Sequence, residues 1–185
     1  MRKIAIISSS VRIGRKSSRV AAFFKNYIIE KNIADVVLID LKDYNFPIFE
    51  ERLKFLKQPP ANLLQYAEII KNADAVLIVS PEYNGGYPPS LKNAIDVLVE
   101  EWKHKPVAIS TVSGGPFGGN NMIPSLQYCF WKLGALTAPA LFPVSYVDKS
   151  YDENGIPADT EATNKRADKF LGELVWLMDA VSKMQ

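Results

Sequence analysis

Val76-Leu77-Ile78-Val79-Ser80-Pro81-Glu82-Tyr83-Asn84-Gly85-Gly86-Tyr87-Pro88-Pro89-Ser90-Leu91-Lys92-Asn93-Ala94-Ile95-Asp96 decides the fold of this chain. It begins as an unbroken apolar run of β-branched residues and Leu, the pattern of a strand covered on both faces. Pro81 ends the ladder because it has no N–H to give. Pro88 and Pro89 suit the first turn of a helix, where that N–H would lack a partner anyway. Leu91, Ile95, Leu98 and Trp102 then recur at helical spacing and predict one apolar face. Between strand and helix lie Glu82, Tyr83, Asn84 and two glycines, and glycine lets backbone amides come close to a ligand. In open α/β sheets the crevice beyond the carboxyl ends of the strands is where ligands bind. An ordinary βα turn is the alternative reading of this loop taken alone.

The same alternation extends in both directions. Residues 4–7 read as a buried parallel strand and are followed by Ser8-Ser9-Ser10-Val11-Arg12-Ile13-Gly14-Arg15-Lys16-Ser17-Ser18. Ser17 or Ser18 is expected to cap the next helix, whose apolar face is Val20, Phe23, Phe24, Tyr27 and Ile28. Residues 36–39 form a second strand, and 40–60 a long connection with a short helical piece. Residues 61–73 read as helix with Leu64, Ala67, Ile69 and Ile70 inward. Residues 106–112 make a fourth strand that runs into Ser113-Gly114-Gly115-Pro116-Phe117-Gly118-Gly119. A helix over 120–133 is closed by Gly134. Residues 138–147, with Pro139 and Pro143, suit an edge strand. A turn at 152–155 precedes a last helix, capped by Asp159 or Thr160 and running to about residue 183. Its core face is Phe170, Leu174, Leu177 and Val181.

Five strand–helix alternations without linker or repeat predict one α/β domain over residues 1–185, with a parallel sheet in the order 2-1-3-4-5. The 185 residues are enough for one sizeable core, and 48% apolar with 23% charged residues is a globular balance. A net charge of +2 with no basic block argues against a nucleic-acid partner. One cysteine (Cys129) and one histidine (His104) argue against an intrachain disulfide and a transition-metal site. Cys129 reads as a core thiol and His104 as solvated. No apolar run approaches the ~20 residues needed to span a bilayer, which makes the cytoplasm the expected compartment.

In that topology the turns after strands one, three and four share one edge of the sheet. The first offers the hydroxyls of Ser10, Ser17 and Ser18, the guanidinium of Arg12 and backbone amides at a helix start, a combination suited to a dianionic phosphate. The other two offer glycine backbone, Tyr83, Asn84 and Phe117, which suit a flat aromatic ring better than a sugar or a metal. Together they describe a mononucleotide with a large ring, flavin mononucleotide. A phosphotransferase P-loop is disfavoured, because Ser9 stands where its first glycine belongs and Arg15 where its lysine belongs. The glycine pattern of a dinucleotide-binding dehydrogenase is missing after strand one.

Pro81-Glu82-Tyr83-Asn84, Pro88 and Leu91-Lys92-Asn93-Ala94-Ile95-Asp96 carry a close resemblance to the NADPH-dependent FMN reductases, a flavodoxin-like family that includes quinone, azo-dye and chromate reductases. Ser10 and Arg12 match the family's first loop, although Ser9 stands where glycine is usual, and serine resists positive φ. Ser113-Gly114-Gly115 and Gly118-Gly119 resemble its third flavin loop. The resemblance implies a ping-pong oxidoreductase that passes a hydride from NADPH or NADH to FMN and then electrons to a small-molecule acceptor: a quinone, azo compound, flavin or similar. It implies phosphate contacts from Ser10, Arg12, Ser17 and Ser18. The ring would lie between Pro81, Glu82, Tyr83, Asn84 and Gly85 on one side and Ser113, Gly114, Gly115 and Phe117 on the other. No catalytic acid or base is required, because the cofactor carries the chemistry. The family implies a homodimer or homotetramer; Trp102, Phe130 and Trp131 are candidates for the subunit surface, with core burial the alternative for each. Arg15 and Lys16 could favour a 2′-phosphate or be merely solvated. A flavodoxin-like electron carrier or flavin-binding module without its own NAD(P)H turnover is the alternative function.

Overall fold

Residues 2–184 are described by a computed structural model. The apolar runs become five strands, and the helical segments between them cross over to connect them. The order is β1 (Lys3–Ser8), α1 (Ser17–Glu30), β2 (Asp35–Asp40), α2 (Leu41–Tyr44), α3 (Ala61–Asn72), β3 (Ala75–Pro81), α4 (Pro89–Asp96), β4 (Pro106–Val112), α5 (Ile123–Lys132), β5 (Leu136–Val144), α6 (Val147–Ser150) and α7 (Thr160–Ser182). All pairings are parallel and the sheet runs β2-β1-β3-β4-β5, the flavodoxin-like order expected from the sequence. Five parallel strands with helices on both faces give three layers.

Alternation along β1 sends Ile4 and Ile6 to one face and Ala5 and Ile7 to the other. The first face is covered by α1 and α7. There Phe142 of β5 meets Phe24 edge-on with ring centroids 4.9 Å apart, and Phe170 at 5.4 Å. The opposite face is covered by α3, α4 and α5, with Trp102 set edge-on to Phe130 at 5.2 Å. Two buried polar groups of this layer are bonded within it: Trp102 Nε1 donates to the Ile95 carbonyl at 3.1 Å, and the Tyr66 hydroxyl to that of Ala94 at 3.0 Å. Trp102 and Phe130 are therefore core residues, while Trp131 is exposed beside Tyr128.

Several local expectations differ. Ser17 is the first residue of α1 and Lys16 occupies the cap without a side-chain bond, so neither serine caps that helix. In α3 the buried set is Leu63, Tyr66, Ala67 and Ile70, with Leu64 exposed; the i, i+3, i+4, i+7 stripe runs through the aromatic Tyr66. The helix α4 stops at Asp96, and Leu98 and Trp102 reach the core from the turn that follows. One further helix start moves: α5 begins at Ile123, after a tight turn at Asn120–Met122. The edge strand β5 starts two residues earlier than expected and ends at Val144, before Tyr146 turns left-handed at φ 46°. Asp159 caps α7 as expected, accepting from the Ala162 N–H at 3.0 Å, but Val181 is only partly buried. The turn at 152–155 is seated directly on α1. Gly155 has φ +82°, and a Cβ there would lie 2.6 Å from both Arg19 O and Phe23 N.

Candidate functional site

At the carboxyl ends of β1, β3 and β4 the three glycine- and serine-rich loops enclose a cavity of about 350 Å³. The first loop is held from below: Ser9 N donates to Val79 O at 3.1 Å, and its carbonyl accepts from Ser90 Oγ, at the start of α4, at 2.5 Å. Ser9 lies outside the left-handed region, so the turn does not need the glycine that the family resemblance led one to expect. The expected resistance to positive φ is never tested by this backbone.

The charges of this loop are unequal. Arg15 forms a two-pronged pair with Asp40 at the end of β2, and Lys16 pairs with Asp148 on α6. Neither is a free cation available to a 2′-phosphate. Arg12 is exposed, lines the cavity and has no carboxylate partner among the described residues. Ser17 also lines it, and its Oγ is buried with no hydrogen-bond partner among the described residues. The hydroxyls of Ser8, Ser9 and Thr111 are also buried without a partner among the described residues, but of the four only Ser17 lines the cavity, where a ligand can supply the bond.

The loop after β3 is tied to its two neighbours. Ser10 Oγ and the Tyr83 hydroxyl are 2.6 Å apart, which joins loop one to loop three. Glu82 spends both carboxylate oxygens on Asn121, accepting from its backbone N–H at 2.9 Å and from Nδ2 at 3.0 Å, which joins loop three to the start of α5. Tyr83 and Gly86 exchange backbone bonds of 2.8 and 3.1 Å around Asn84 (φ 53°) and Gly85 (φ 83°). That is a two-residue hairpin with both central residues left-handed, the turn an Asn-Gly pair favours. The loop after β4 is shaped by Ser113 Oγ donating to Gly115 O at 2.8 Å and by Tyr146 N donating to the same carbonyl at 3.1 Å. A Cβ built at Gly114 or Gly115 meets nothing within 4 Å, so the backbone is open there.

Of the residues expected at a ligand, Ser10, Arg12, Ser17, Pro81, Glu82, Tyr83, Ser113 and Gly114 line this cavity. Ser18, Asn84, Gly85, Gly115 and Phe117 do not; Asn84 and Gly85 form the hairpin tip, and Phe117 stands 75% exposed. Val147 and Asp148, which line the cavity from α6, carry no local motif and were not legible in advance. His104 is exposed and sits just before β4, at the opposite end of that strand from the loop. Cys129 is half-buried against the core beside Tyr87, whose phenol is pushed up by burial and then by that thiol. No three His, Cys, Asp or Glu side chains among the described residues come together as a metal site.

Residues 2–149 match the NADPH-dependent FMN reductase family. The chain belongs to that family. It is similar to an NAD(P)H-dependent FMN reductase of Schizosaccharomyces pombe, 31% identical over 176 residues that cover 93% of this chain and 84% of the relative. It is also similar to a quinone reductase of Pseudomonas putida, 31% identical over 121 residues, 63% of this chain and 62% of that one. In fold it matches FerB, a flavoenzyme NAD(P)H:(acceptor) oxidoreductase of Paracoccus denitrificans, with a TM-score of 0.78 over 97% of this chain and 98% of FerB at 21% identity. This family member is thus an oxidoreductase, and FMN and NAD(P)H are the cofactor and reductant its family name carries. The residues present fit FMN. An unpaired guanidinium and an orphaned serine hydroxyl at the start of a helix suit its phosphate. Open glycine backbone beside Tyr83 suits its ring.

Proposed function

We propose that this protein is an NAD(P)H:acceptor oxidoreductase that works by two half-reactions sharing one site, with a quinone, azo compound, flavin or similar small molecule as the acceptor. Bound FMN would supply the redox chemistry between NAD(P)H and the acceptor. The protein's part is to hold and orient. Arg12 and Ser17 Oγ would hold the phosphate. Ser10, fixed by Tyr83, and the N–H groups opening α1 complete the cradle, with Ser18 beside them. Glu82 acts through Asn121: it ties loop three to the segment that follows loop four, and the ring would lie between the two loops. Ser113, Gly114 and Gly115 offer backbone to the ring's polar edge. Asn84, Gly85 and Phe117 form the rim, where a second substrate enters. The single observation carrying this reading is Arg12, the cation of loop one left without a carboxylate at the mouth of the cavity.

With Arg15 and Lys16 already paired, we expect no strong preference for NADPH over NADH. We further propose a homodimer, with the exposed Tyr128–Trp131 pair on α5 at the subunit contact, and a cytoplasmic location; among the described residues no helix is long and apolar enough to cross a membrane. A visible absorption spectrum of the purified protein, then anaerobic addition of NADPH, tests the function. Two flavin bands that bleach support the oxidoreductase. Bands that persist point to a carrier reduced by another protein. A protein that gains no bands after incubation with FMN removes the reading.

A further inference from the structure

One charged side chain in the cavity wall, Arg15, is already bonded within the chain. Arg15 Nη1 donates to the Ser10 carbonyl at 2.8 Å and to Asp40 Oδ1 at 2.6 Å, while Nη2 donates to Asp40 Oδ2 at 2.5 Å. The two side chains are only 16% and 19% exposed, against 44% and 46% for the Lys16–Asp148 pair. Asp40 is itself fixed: it ends β2 in register with Ser8 of β1, and its Oδ1 accepts from Lys42 N at 3.1 Å at the start of α2. Ser10 is then held at two points, its carbonyl by Arg15 and its Oγ by Tyr83. Ser10 lies two residues before Arg12, whose N–H approaches Ser10 Oγ at 3.4 Å.

We propose that Asp40 is a positioning residue for the phosphate loop. It withdraws Arg15 from the ligand and turns it into a brace on the Ser10 carbonyl, so that Arg12 and the first turn of α1 keep their aim. This rests on the reading that FMN phosphate binds in this loop. A two-pronged carboxylate–guanidinium bond of this burial holds one geometry, which a point charge such as lysine cannot reproduce.

The competing account has Asp40 as a mere counter-ion that Arg15 leaves when phosphate arrives, and the two accounts differ in sign. Titrations with FMN and with riboflavin, which lacks the phosphate, are followed by flavin fluorescence for the wild type, Asp40→Asn and Arg15→Lys. The brace predicts FMN affinity about tenfold weaker in Asp40→Asn, with riboflavin affinity changed by less than about twofold. It predicts the same selective loss in Arg15→Lys, which keeps the positive charge; that variant decides the matter should Asp40→Asn fail to fold. FMN bound as tightly or more tightly by Asp40→Asn overturns the brace, because a freed Arg15 has then served as a ligand. Equal losses for FMN and riboflavin overturn it as well, because the loop as a whole has loosened. A wild type that binds no FMN overturns the underlying functional reading and the brace with it, whereas a binding wild type with an unaltered variant overturns the brace alone.

Discussion

Ser17→Ala separates stability from function, because the structure gives the two effects opposite signs. In the chain without ligand, Ser17 Oγ is buried with no partner among the described residues. Burying an unbonded hydroxyl costs about 1–3 kcal/mol by protein mutational data, so removing it relieves most of that cost. The small void left by one oxygen returns a part of it. The expected net result is an apoprotein more stable by about 1 kcal/mol, which for a chain of this length raises Tm by about 2–4 °C. With FMN present the same oxygen bonds a charged phosphate, and a hydrogen bond to a charged group contributes about 1.5–3 kcal/mol. The affinity should therefore fall about ten- to a hundredfold. The assay is thermal unfolding of the apoprotein, followed by fluorescence titration of wild type and variant with FMN. An apoprotein destabilised by more than about 1 kcal/mol would show that the hydroxyl has a structural partner after all. Unchanged FMN affinity would refute its role at the phosphate.

Arg12→Ala should weaken FMN binding by about 1.5–3 kcal/mol in the same titration, and raising the salt concentration should narrow the gap between variant and wild type. Gly155→Ala should destabilise the fold by about 2–4 kcal/mol in denaturant unfolding, because the new Cβ would meet α1 backbone at 2.6 Å and the residue is left-handed at φ +82°. Alkaline pH should also unfold the protein. Burial first, and then the bond to Asp168, pushes the Tyr27 phenol up to about 12, and burial pushes Tyr151 up to about 12, from an ordinary 10.0. Both phenols ionise more readily in the unfolded chain, so their contribution is complete below pH 10 and is lost as pH rises towards about 12. Unfolding free energy measured against pH, beside ultraviolet phenolate absorbance, checks that window.

The architecture was legible because it depends on period and punctuation. The apolar runs at 4–7, 76–79 and 106–112 have no other use than strands covered on both faces, and the Gly- and Pro-marked turns after them place the cavity. Side-chain pairing across loops was not legible, since it joins residues far apart in sequence: Arg15 with Asp40, Ser10 with Tyr83, Glu82 with Asn121. Arg15 reads in isolation like any basic residue near a phosphate. Only the strand order, which sets β2 against β1, brings a carboxylate to it. The Asn84-Gly85 pair stands at a hairpin tip rather than in the cavity wall for a different reason. The pair reads as ligand-lining glycine-rich backbone, yet the same two residues are the strongest short signal for a hairpin turn. A stripe traced through the aliphatic residues alone points Leu64 inward, whereas Tyr66 sets the true phase of α3 and turns Leu64 out.

The edge strand β5 has two prolines among its nine residues, Pro139 and Pro143. A foreign strand laid along that side of the sheet would find two donors missing, and parallel pairing would stop within a few residues. The flank beyond β5 is thus closed to open-ended growth, and any lasting association between copies on this side of the molecule has to be built from side chains on helices rather than from backbone.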